Sequence, residues 1–258
     1  MSVSPSPDPL ERQASAERPR GARDWYQEYG IRHVAIIPDG NRRWATERSL
    51  PIELGHAKGL LEVLPDLVHK LSDAGVHTLT VWGFSTENWS RQNNEVNHLM
   101  KICAEFLRNR LLAIAQRHGA RFVHLGRTDR INADVRGAIE SVVKATANNQ
   151  NHVYNLAFDY GGRDELKRAS ERLLAAVQAG NAPEGLAIED CLDTHGQPYP
   201  EPDLVVRSSG EHRMSGFMPW QAAYSEIFFV ERYFPDFDFA LFEQIADQFL
   251  ARKRRFGS

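Results

Sequence analysis

Short apolar runs of strand length alternate with longer stretches of helical spacing, and this alternation constrains the fold more than any other feature. HVAII (33–37), HTLTVWGF (77–84), ARFVHLG (120–126), HVYNLAFDY (152–160), DLVVR (203–207) and EIFFV (226–230) read as buried strands. Between the first two, residues 55–74 carry Leu60, Leu61, Val63, Leu64, Leu67, Val68 and Leu71 at helical spacing. Pro65 is expected to bend that helix and Gly75 to stop it. Residues 95–118, 131–149, 164–179 and 238–254 read as further helices. The pattern predicts βαβ units and an α/β fold around a mostly parallel sheet. In such a sheet, ligands bind outside the carboxyl ends of the strands.

Composition narrows the class. A chain of 258 residues with 42% apolar and 25% charged residues can bury the core of one large domain. No run approaches the ~18 apolar residues that span a bilayer. The formal charge of −3 argues against a protein that coats nucleic acid. Cys103 and Cys191 lie in no CxxC or Cys/His cluster, which excludes a disulfide framework and a structural zinc site and fits a reducing cytoplasm. Residues 1–24 hold four Pro and four Ser and little to bury, so they read as a disordered tail without the apolar segment of a signal peptide. The folded domain is expected over 25–258.

Three polar clusters fall where the ligand rule places them. PDGNRRWA (38–45) follows the first strand. Asp39 sits at the strand end, Gly40 permits a tight turn, Asn41 can cap the next helix, and free N–H groups beside Arg42 and Arg43 suit an anion. FSTENWSR (84–91) follows the second strand and sets Ser85, Thr86, Glu87, Asn88 and Arg91 around Trp89; its bland reading is a capping box. RSSGEHRMSGF (207–217) follows DLVV, and Arg207, Arg213 and Ser215 could grip a diphosphate through forked donors. Glu226 opens the next strand. Each cluster alone reads as an ordinary turn or a solvated loop; three at successive strand ends do not. Two diphosphates, a divalent cation on Asp39 or Glu226, and an apolar space between helices would account for this inventory.

HVAIIPDGNRRWA, GHAKG, FSTENWSR, DYGGRDEL and DLVVRSSGEHRMSGFMPWQAAYSEIFF together resemble the cis-prenyltransferase family, of the undecaprenyl diphosphate synthase type, over roughly 32–257. The resemblance implies a homodimer around a six-stranded parallel sheet. It implies that isopentenyl diphosphate is condensed with an allylic diphosphate to give a Z double bond, with Mg2+ as cofactor. Asp39 matches the family's essential metal-binding aspartate. Gly40, Asn41, Arg42 and Arg43 match the loop that holds the allylic diphosphate, with Trp44 after it and His56 near it. Ser85, Thr86 and Glu87 match a substrate-contacting run, Asn88 the residue assigned to proton removal, and Trp89 and Arg91 its neighbours. Arg207, Arg213, Met214 and Ser215 match the isopentenyl diphosphate loop, and Glu226 the second metal ligand near the dimer interface. The same resemblance implies a cytoplasmic enzyme with peripheral membrane contact for product release.

Two positions depart from the family pattern. Ile52 stands where the family has a diphosphate-binding arginine, and Met218-Pro219 replaces a Leu-Leu pair. They motivate a second reading, a short-chain or branched prenyl diphosphate synthase. A third, a non-catalytic lipid-binding subunit, is opposed by the presence of Asp39, Asn88 and Glu226.

Overall fold

The computed structural model describes residues 24–180 and 182–252. The expected tail lies outside them except for Asp24, whose carboxylate accepts from the N–H groups of Tyr26 and Gln27 and so caps helix α1 (Trp25–Tyr29). Most of the basic run at 251–257 is also outside the described residues.

Six strands form one sheet: β1 (His33–Ile37), β2 (Thr78–Ser85), β3 (Ala120–Leu125), β4 (His152–Tyr160), β5 (Leu204–Arg207) and β6 (Glu226–Phe229). Their order is β3-β4-β2-β1-β5-β6, and every pairing is parallel. The sequence led to a mostly parallel sheet; the structure makes it wholly so. From β1 the chain lays down β2, β3 and β4 on one side, then crosses to add β5 and β6 on the other. The order therefore reverses between β1 and β5, where an open parallel sheet leaves a crevice at its carboxyl edge.

Alternation along β1 divides the core. Val34 and Ile36 face the larger apolar cluster, while Ala35 and Ile37 face a smaller one containing Tyr160, Phe217 and Met218. The larger cluster takes in α4 (Leu64–Asp73), α5 (Asn93–Phe106), α6 (Leu112–His118), α7 (Ala133–Thr146) and α9 (Phe239–Ala251). The remaining helices are α2 (Asn41–Glu47), α3 (Ile52–Lys58) and α8 (Gly162–Gln178).

The helix expected over 55–74 is interrupted rather than simply bent. Gly59–Val63 forms a π-helical turn between α3 and α4, just ahead of Pro65. Proline donates no N–H and crowds the carbonyl four residues back, that of Leu61, so the ladder widens there. A second π turn, Leu107–Leu111, joins α5 to α6 with neither Pro nor Gly to announce it.

His33 is fully buried on β1, and its Nε2 lies 2.7 Å from Thr80 Oγ1. Burial pushes its pKa down to about 3. Burial also lowers His118, to about 4. Both imidazoles stay neutral in the fold but protonate below about 6.5 in the unfolded chain. The unfolded state then binds more protons, so stability is full above about pH 6.5 and is lost as pH falls towards 4. Urea unfolding at pH 6.5 and 4.5 is expected to show a loss of about 2–3 kcal/mol from His33 alone, and His33→Gln a shallower pH slope.

Candidate active site

Asp39 leaves the end of β1 beside the last residue of β5. Ile37 and Arg207 are register partners, so both side chains emerge at the same height on either side of the switch point. Arg207 Nη2 donates to Asp39 Oδ2 at 2.9 Å, and Nη1 donates to Ser215 Oγ at 2.8 Å and to the carbonyl of Arg213. Asp39 Oδ1 accepts from the Gly40 N–H at 2.6 Å, and Arg43 Nη2 stands 3.7 Å away. Burial alone would raise the Asp39 pKa, but Arg207, the Gly40 N–H and Arg43 outweigh it and hold the carboxyl below its ordinary value. The Ser208 hydroxyl accepts from the Asp39 N–H at 2.7 Å and donates to the Asp39 carbonyl at 2.8 Å.

Gly40 makes the turn possible. Its φ of +91° is left-handed, and an added Cβ would lie 2.5 Å from Tyr233 Cδ1 and 2.7 Å from Ser209 Cβ. Gly40 is itself the N-cap of α2, so Asn41 does not cap as expected; its amide reaches back to the Pro38 carbonyl at 3.2 Å. Arg43 donates to Ser209 Oγ at 2.6 Å and so ties the first loop to the third.

Across the cavity, Ser85 and Asn88 form the capping box of a 3-10 turn, Thr86–Ser90; Asn88 Oδ1 accepts from the Ser85 N–H at 3.1 Å. The capping box read from the sequence is thus present, with Asn88 as its reciprocal partner. Glu95, which the sequence reading missed, is buried and draws three groups together. Arg91 lies 2.9 Å from it, Arg42 3.5 Å and His56 3.5 Å. Arg91 precedes α5, whose first turn holds Glu95, so the two are four residues apart but not on one helix, and no helical spacing announced the pair. Burial, aided by the Arg91 charge, lowers the His56 pKa to about 4 against the pull of Glu95, so the imidazole is neutral near pH 7.

These groups line a cavity of about 920 Å3. Asp39, Gly40, Asn41, Arg42, Arg43, His56, Ser85, Glu87, Asn88, Arg91, Arg207 and Ser215 all reach it, and Leu60, Leu64, Val81, Phe84, Leu99, Ile102 and Phe234 form its apolar wall. Six expected residues do not line it. Trp44 is buried, with Nε1 2.7 Å from Asp236 Oδ1. Trp89 Nε1 donates to Asp159 Oδ1 at 2.9 Å. Thr86 packs on Gly161, Met214 packs on the smaller core, and the exposed Arg213 guanidinium pairs with Glu211. Glu226 starts β6, at the height of Leu204 and Val34 and hence at the amino end of the sheet; Arg252 Nη1 lies 2.7 Å from it. Within one chain it does not converge with Asp39. Ile52 is not on the cavity wall, and neither is Arg48, the cation four residues before it, which is held by Asp236 at 2.9 Å.

The undecaprenyl diphosphate synthase family model matches residues 37–257. The chain belongs to the cis-prenyltransferase family. An isoprenyl transferase of Agrobacterium fabrum is 42% identical over 88% of this chain and 92% of its own length; one from Streptococcus thermophilus is 37% identical over 87% and 92%. Lavandulyl diphosphate synthase from Lavandula x intermedia, solved with dimethylallyl diphosphate, superposes with a TM-score of 0.84 at 31% identity, covering 90% of this chain and 100% of that one. A probable undecaprenyl diphosphate synthase from Campylobacter jejuni gives 0.67 at 28% identity, covering 88% and 99%.

This prenyltransferase has no group of three or more His, Cys, Asp or Glu among its described residues that could cage a metal ion. The ionised Asp39 carboxylate, on the wall of a cavity rich in arginine, fits a Mg2+ ion that takes its remaining ligands from phosphate oxygens and water. Gly40→Ala is expected to cost roughly 1–3 kcal/mol of stability through the left-handed φ and to cut kcat/KM by moving Asp39. Chemical denaturation and steady-state kinetics check both.

Proposed function

We propose that this chain condenses isopentenyl diphosphate with an allylic diphosphate to form a Z-configured prenyl diphosphate, in a Mg2+-dependent reaction. The observation that carries the reading is the position of Asp39 between two cationic groups: Arg42 and Arg43 of α2 on one side, Arg207 with Ser215 on the other. The allylic diphosphate is assigned to the first group and isopentenyl diphosphate to the second. The allylic carbon–oxygen bond breaks and its electron pair leaves with the diphosphate. The isopentenyl double bond supplies the electrons of the new carbon–carbon bond, and a proton is then lost. Mg2+ held by Asp39 would supply neutralisation of the charge developing on the leaving diphosphate. Asn88 is an amide with no basic pair, so its role is to orient and relay; the proton ends on water or a diphosphate oxygen. A homodimer belongs to the same proposal, supported by the exposed Trp220 and Tyr224 just ahead of edge strand β6.

The apolar wall on α4, α5 and β2 is where the hydrocarbon of the substrates and of the growing product would lie. Below the apolar wall lies a second pocket of only about 20 Å3, sharing Leu64 and Val81 with the first and lined further by Val68, Leu79 and Phe106. Val68 and Phe106 lie one helical turn beyond Leu64 and Ile102, and Leu79 two residues back from Val81 along β2, so the small pocket continues the large one.

Incubation with Mg2+, labelled isopentenyl diphosphate and C5, C10 or C15 allylic diphosphates, followed by chain-length analysis, tests the reading. Prenyl diphosphates extended by one or more five-carbon units are expected, and their length separates a short-chain from a long-chain synthase; absence of any transfer would leave a lipid-binding role. Asp39→Ala is expected to abolish turnover with the fold intact, a loss on the order of several kcal/mol in the barrier. Phe106→Ala is expected to lengthen the products by at least one five-carbon unit, read by mass spectrometry.

A further inference from the structure

The DYGGRDEL segment (159–166), where β4 passes into α8, places none of its residues on the cavity wall, yet it touches both loops that do reach the cavity. On one side it meets the 3-10 turn after β2. Asp159 accepts from Trp89 Nε1, and a Cβ on Gly161 would lie 2.5 Å from Thr86 Oγ1. On the other side it meets the loop after β5. The Gly162 N–H donates to the Gly216 carbonyl at 2.9 Å, and a Cβ on Gly162 would come within 2.1 Å of Pro219 Cδ. The Tyr160 ring stands edge-on to Phe217.

Glu165 fastens this second contact. It is fully buried and accepts from the Tyr160 hydroxyl at 2.5 Å and from Gln221 Nε2 at 3.1 and 3.2 Å. The loop it holds needs external support. Ser209, Ser215 and Met218 all have left-handed φ values, of 79°, 51° and 46°. Non-glycine residues persist there only where their surroundings over-determine the backbone.

We propose that the β4–α8 junction is a positioning element that sets the spacing between the Ser85–Asn88 turn and the Arg207–Ser215 loop, with Glu165 as its fastening residue. This rests on the reading of Arg207 and Ser215 as diphosphate ligands. Ser215 Oγ takes its place against Arg207 from the backbone whose next carbonyl is bound to Gly162, so a shift at the junction moves the diphosphate cradle directly.

Two variants loosen the contact without touching the cavity. Gln221→Met removes the donor to Glu165 at similar volume; Gln221 Oε1 is buried with no partner, so no satisfied acceptor is lost. Gly162→Ala pushes Pro219 and Gly216 from the junction side. The readouts, on the full chain with Mg2+, are the calorimetric Kd for isopentenyl diphosphate and for dimethylallyl diphosphate, the KM-against-kcat split, and the melting temperature. The expected result, at a temperature well below each variant's melting transition, is a Kd for isopentenyl diphosphate raised about ten- to a hundredfold, with the allylic Kd moved by no more than about twofold. Unchanged isopentenyl diphosphate affinity in both variants would overturn the proposal. So would an equal loss of affinity for both diphosphates, since the junction would then hold the whole fold rather than the loop. Ser215→Ala separates the two levels: if it binds isopentenyl diphosphate as tightly as the wild type, the ligand assignment itself fails.

Discussion

Arg207 donates to Asp39 across 2.9 Å at the point where the strand order reverses. A guanidinium only 5% exposed loses its hydration, and the effective cost is several kcal/mol unless its donors are met. Asp39, Ser215 and the Arg213 carbonyl meet Nη1 and Nη2, while Nε has no hydrogen-bond partner among the described residues, and these contacts tie the end of β1 and the 213–215 loop to β5. The contact exists because β1 and β5 are parallel and in a register that pairs Ile37 with Arg207. The same pairing keeps Asp39 ionised, the state in which it can serve a cation.

The cavity shows why net charge is a poor guide to anion binding. The chain carries a formal charge of −3, yet Arg42, Arg43, Arg91 and Arg207 converge on one space. Asp39, Glu95 and Glu211 sit among them and keep like charges from forcing the site apart. A diphosphate would exchange carboxylate oxygens for phosphate oxygens at the same donors, a change of partner rather than of architecture. Beneath this charged mouth, α4, α5 and β2 supply an apolar wall, so one space receives both the polar and the hydrocarbon ends of a prenyl diphosphate.

Much of the fold was legible because strands buried on both faces read as continuous apolar runs. β1 and β4 occupy the residues expected of them, and the other strands differ by about a residue at their ends. The short helix α2 was foreseen only through a cap at Asn41, one residue late, since NRRWATE shows no apolar stripe to mark its extent; the π turns were not foreseen, since a widened turn depends on what packs against it. Strand order was invisible too, because pairing is a choice among distant segments.

The sequence by itself determined the strand runs, the helices between them, and the placing of three polar clusters immediately after strands. Those are properties of local pattern, carried by side chains a few residues apart. Only the tertiary structure decided which polar residues face the cavity and which hold it in shape. Trp44 turns inward to Asp236, 192 residues away, and Trp89 to Asp159, 70 away. Glu226 falls at the opposite end of the sheet from Asp39 although both flank strands. The direction a side chain takes from a turn is set by partners that arrive from elsewhere in the chain, and local spacing carries no record of them.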